Sequence, residues 1–204
     1  MKKEQKLIYS ILIIVCVLYL FSFFKNSNLK INNYTTISSQ LKNSIFTEMG
    51  KVKDYTKNLI VDLEKDELKI DYNFMSLYSS VRVLNDNLSK LKYINDTQLN
   101  RYRLRINSMA LTFDNYERFL DKVIYYINNG GEAFSLSGSG GENIIIKSKQ
   151  DIYNEFLVYY DVLSNLDLSP NNNEIDELFY KIILNWDITK AEKIYYPYLR
   201  SLKE

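Results

Sequence analysis

The chain contains no histidine, a single cysteine, two prolines and six glycines in 204 residues. Without histidine, the commonest general base and metal ligand is missing, and chemistry would fall to carboxylates, tyrosines, lysines and hydroxyls. The lone Cys16 lies inside an apolar run, which excludes an intrachain disulfide framework and a cysteine zinc site. Charge of one sign is also lacking: Lys+Arg total 26 and Asp+Glu 25. A nucleic-acid binder recruits phosphates through a basic surplus, so no nucleic-acid partner is expected. The acids, such as Asp62, Asp66, Glu67 and Asp71, alternate with lysines as on a solvated helix face. Paired-carboxylate catalysis needs two acids converging in one pocket. We therefore expect no enzyme, no cofactor and no metal.

Scarce glycine and proline leave long stretches with nothing to break a helix. One such stretch, Leu7 to Phe24, is apolar except for Ser10 and Ser22 and matches the minimum length of a bilayer span. No small-x-small cleavage site follows Phe24, and the bulky residues before Cys16 spoil a lipobox, so the run reads as an uncleaved transmembrane anchor. Lys2, Lys3 and Lys6 precede it, against Lys25 and Lys30 beyond it. That bias places residues 1–6 in the cytoplasm and the main domain outside it. Residues 25–33, rich in Asn, read as a polar linker.

From Tyr34 onward apolar residues recur at alternating steps of three and four, the spacing that keeps one seam on a helix. The rhythm predicts a long helix over 34–94, with Gly50 and Asp66 as the two places where it would break. The densest part runs from Ile70 to Ile127 through Phe74, Leu77, Leu84, Leu88, Ile106, Phe113 and Leu120. Asn95-Asp96-Thr97 interrupts it, with Asp96 or Thr97 as the N-cap of a return helix over 97–129 that ends at Gly130-Gly131. A break that short makes the two arms antiparallel neighbours, a coiled-coil-like αα-hairpin. Residues 130–147 read either as a small β-hairpin or as a Gly/Ser connector. Further helices are expected over 148–167, opened by a Ser148/Asp151 capping box, over 174–187, and over 189–203 with a kink or end at Pro197. The fold class is thus all-α: one N-terminal span, then an elongated antiparallel helical bundle over 34–204.

Two clusters stand out as partner contacts. Lys90, Lys92, Arg101, Arg103 and Arg105 bracket the hairpin turn, with no acid on the matching flanks, where Asn87 and Lys92 lie. Tyr195, Tyr196 and Tyr198 are too close together to face one core, which makes them candidates for docking on another chain. The expected function is a membrane-anchored, non-enzymatic scaffold that binds protein partners or further copies of itself through helical surfaces. The alternative is a sensory, ligand-binding helical bundle with a pocket among Tyr116, Tyr159 and the carboxylates. Lacking a second span, such a sensor would signal through a partner membrane protein.

Overall fold

The computed structural model describes residues 3–94, 97–137, 143–168 and 175–200. Within 3–34 side chains are described for Tyr19 and Ser22 only, and those of Thr97, Gln98, Ile175, Asp176, Pro197 and Tyr198 are likewise outside the described set. Among the described residues there are seven α-helices and one antiparallel β-hairpin, in two compact units, Met1–Gln40 and Leu41–Glu204. Helix α1 spans Lys3–Glu64. Its backbone is helical through residues 25–33, where a linker was expected: Asn and Ser cost a helix well under ~1 kcal/mol each, and neither Gly nor Pro occurs there. No helix among the described residues is long and apolar enough to cross a membrane. The run Leu7–Phe24 itself lies, apart from Tyr19 and Ser22, outside the residues whose side chains are described.

The continuous helix expected over 34–94 does not form. α1 ends at Glu64, and α2 begins afresh as Tyr72–Leu91. The stop is a Schellman motif: the Glu67 amide donates to the Asp62 carbonyl at 2.9 Å and the Asp66 amide to the Leu63 carbonyl at 3.0 Å. Asp66 takes the left-handed conformation that this motif requires, at φ 60°. Glycine usually fills that position, but aspartate is among the few other residues that tolerate it. Lys149 holds the turn from outside, donating to the Asp66 carbonyl at 3.0 Å and to its carboxylate at 2.8 Å. α2 then restarts on Asp71, whose carboxylate accepts from the Phe74 amide at 3.0 Å. Gly50, the other suspected break, lies inside α1.

The return arm is α3 (Thr97–Arg101) and α4 (Arg103–Asn128), so the single helix expected over 97–129 is interrupted at Tyr102. Asp96 and the Thr97 side chain, the two expected caps, lie outside the described residues. α2 packs along α4, and the seam residues Phe74, Leu77, Leu84, Leu88, Ile106, Phe113 and Leu120 are all buried in one core. Gly130 and Gly131 adopt positive φ and close α4, with the Gly131 amide bonded to the Tyr126 carbonyl at 2.9 Å. The hairpin that follows pairs β1 (Phe134–Ser137) with β2 (Asn143–Ile146), and its opposed pair Phe134 and Ile146 both turn into the core.

α5 (Lys149–Ser164) opens on the expected capping box. Ser148 accepts from the Asp151 amide at 3.2 Å, while the Asp151 carboxylate accepts from the amides of Ser148 at 3.0 Å and Lys147 at 2.9 Å. α6 is Ile175–Asn185, and α7, capped by Asp187, is Ile188–Tyr195. The helix expected over 189–203, with a kink or end at Pro197, ends at Tyr195, and Pro197 opens a single 3-10 turn, Pro197–Arg200. Two long cations from other helices finish α5 and α6. Lys53 of α1 donates to the carbonyls of Ser164 at 3.1 Å and Leu166 at 2.8 Å. Arg105 of α4 donates to those of Ile183 at 3.2 Å and Leu184 at 2.8 Å. Each satisfies carbonyls that a helix end leaves without intrahelical partners, and each opposes the negative end of the helix dipole.

Candidate functional site

The five basic residues at the hairpin turn do not act as one patch. Arg105 is committed to the end of α6. Lys90 pairs with Asp86 on its own helix. Asn87, taken as a neutral flank, is buried and donates to Ser44 Oγ at 2.8 Å. Arg101 and Arg103 remain exposed, and Arg103 reaches the Lys92 carbonyl at 3.4 Å, which ties the start of α4 to the end of α2. Beside them the structure exposes two apolar side chains, Tyr93 at 88% and Leu104 at 73%. Sequence reading passed over both. They stand two residues from seam members Leu91 and Tyr102, hence off the buried stripe, and that spacing is the signal that would have found them.

The C-terminal aromatics separate as well. Tyr195 is 4% exposed and belongs to the chain's own core. Ser108 sits at the centre of the network that holds it: the Trp186 indole N–H donates to Ser108 Oγ at 3.1 Å, and the Tyr195 hydroxyl lies 3.2 Å from the same oxygen. Burial pushes the Tyr195 hydroxyl pKa up, and the contact with Ser108 only partly offsets this. Tyr196 is half-buried against the core with its ring 5.0 Å from that of Tyr195. The Tyr198 side chain lies outside the described residues.

A cavity of about 330 Å³ opens between α4, the β-hairpin, α5 and α7. Arg118, Asp121 and Lys122 of α4 form one wall, and Leu136, Ser137 and Ile144 of the hairpin face them. Glu155, Tyr159 and Ile194 line the rest. Glu155 is 4% exposed, and the Arg200 guanidinium holds its carboxylate with two parallel bonds of 2.6 and 2.9 Å. Burying one carboxylate is affordable only with such a partner. The Tyr159 ring stacks on Tyr116 at 3.9 Å, and Tyr116 donates to Thr56 Oγ1 at 2.7 Å. The direction follows because the single Thr56 proton goes to the Val52 carbonyl at 2.6 Å. Burial raises the pKa of both tyrosines, for Tyr159 with a further push from Glu155. Both stay neutral donors at physiological pH.

Comparison with family models, curated proteins and solved structures returned no match.

Among the described residues no three acidic or cysteine side chains converge as metal ligands. Of the pocket expected among Tyr116, Tyr159 and the carboxylates, Tyr159, Asp121 and Glu155 do line this cavity, whereas Tyr116 does not. The cations and hairpin residues of its lining were not foreseen because its walls come from four elements. Arg118 and Lys122 share a face at i and i+4, but nothing local says that residues 136–144 fold over them.

Proposed function

We propose that the protein is a single-span membrane protein whose helical domain lies outside the cytoplasm and holds an acidic protein partner, with no reaction of its own. The observation that carries this reading is the end of the α2–α4 hairpin, where Tyr93 and Leu104 stand exposed beside Arg101 and Arg103. Tyrosine and arginine are the side chains that interfaces favour at their energetic centres, and two cations favour an acidic surface. The seam residues are spent on the chain's own core, and of the apolar side chains that the hairpin leaves exposed, Tyr93 and Leu104 are the two that stand beside exposed arginines at its end. The apolar run Leu7–Phe24, with its lysine-rich N-terminal flank, supports the anchor and its orientation.

The test is capture from native membranes in mild detergent, comparing the wild type with Arg101→Glu/Arg103→Glu. Arg105 is left intact because reversing it would uncap α6. An acidic protein, or a second copy of the chain, should fall by roughly tenfold in the variant, which corresponds to ~1.4 kcal/mol. An unchanged set of co-purifying proteins would remove the proposal. The cavity favours a second reading, a ligand-binding bundle that signals through a partner.

A further inference from the structure

The cavity beside Tyr159 carries more than its existence. Its lining holds two cations, Arg118 and Lys122, and two carboxylates, Asp121 and Glu155. Arg118 is shared with Asp114 at 2.9 Å in a solvent-exposed pair, which is weak and readily exchanged. Asp121 accepts from the Tyr78 hydroxyl at 2.8 Å, and no cation is paired with it among the described residues. Each carboxylate oxygen of Glu155 takes one bond from Arg200 and has a second lone pair to offer. A ligand of one charge would pair with half of this lining and be repelled by the other half. Between the charged walls lie Leu136, Ile144, Ile194 and the Tyr159 ring. That surface suits an apolar body, and the volume of about 330 Å³ is at the small end of ligand pockets.

We infer that this cavity binds a small zwitterion with an apolar side chain, of the α-amino acid class. Its carboxylate faces Arg118 and Lys122, its ammonium faces Asp121 and Glu155, and its side chain lies against Tyr159 and Ile144. The inference rests on the ligand-binding reading and is independent of the contacts proposed for Tyr93 and Arg101.

Three probes with one aromatic body separate the possibilities: L-phenylalanine, 3-phenylpropionate and phenethylamine, each added to the detergent-solubilised full chain while its melting is followed. L-phenylalanine should raise Tm by ~3 °C or more at saturation, and the two singly charged probes by less than half of that. Ser137→Trp, which fills the cavity from an exposed strand position, should abolish the shift without lowering the Tm of the unliganded protein. Asp121→Asn should bring L-phenylalanine down to the level of 3-phenylpropionate. A shift that 3-phenylpropionate or phenethylamine reproduces in full keeps the ligand-binding reading and overturns the zwitterion. No shift with any probe, or one that survives Ser137→Trp, overturns both.

Discussion

Ser108 shows how much can depend on one small side chain. Its hydroxyl is buried and serves both the Trp186 indole and the Tyr195 hydroxyl. Ser108→Ala removes few atoms but strands two buried polar groups, each worth about 1–3 kcal/mol when left without a partner. We expect a loss of about 2–4 kcal/mol in urea unfolding, with the m-value unchanged. Asp151 acts on a different variable. The amide of Lys147 and then the Ser148 side chain hold its carboxyl below the usual carboxylate range. Because its pKa is lower folded than unfolded, its stabilising contribution is complete above the unfolded value and is lost as pH falls through the folded one. Wild type should therefore lose more Tm than Asp151→Asn on acidification from about pH 5 to pH 3, a comparison that melting curves give directly. The Ser148/Asp151 box was legible in the sequence because all its bonds are local. The sharing of Ser108 among residues 108, 186 and 195 was not, since no spacing rule connects them.

At the scale of elements, helix existence could be read from the chain and helix ends only in part. Seam periodicity reports burial, and the seam stays in phase across residues 63–70, so the rhythm alone cannot reveal the Schellman turn at Asp66. Where glycine marks the stop, as at Gly130 and Gly131, the end fell where expected. Where aspartate takes that conformation, the composition gives only a weak hint. The ends of α5 and α6 are less legible still, because their caps, Lys53 and Arg105, arrive from distant helices. Lys53→Met and Arg105→Met keep most of the aliphatic stem and delete the charged donor. Each should cost about 1–2 kcal/mol. Amide hydrogen exchange should localise the effects separately, with faster exchange at the end of α5 in the first variant and of α6 in the second. The same assignment explains why Arg105 is no longer grouped with Arg101 and Arg103.

At the scale of the whole molecule, the domain buries its own stripes, and we propose that a lipid-held N-terminal run anchors it while the end of the α2–α4 hairpin meets a partner. The antiparallel arms were readable because their apolar rhythm and the short break at residues 95–97 both demand them. The hairpin side of the cavity and the dispersal of the basic cluster were not, since both depend on where later elements return. The most direct measurement is cysteine labelling in intact cells with a membrane-impermeant maleimide, on a Cys16→Ser background. Two single substitutions are compared, Tyr93→Cys at an 88% exposed site and Ala110→Cys at a 2% exposed one. The account predicts rapid labelling of the first without lysis, slowed when the partner is present, and no labelling of the second until the protein is denatured. Labelling of Tyr93→Cys only after lysis, or of both positions at equal rates in intact cells, would contradict it.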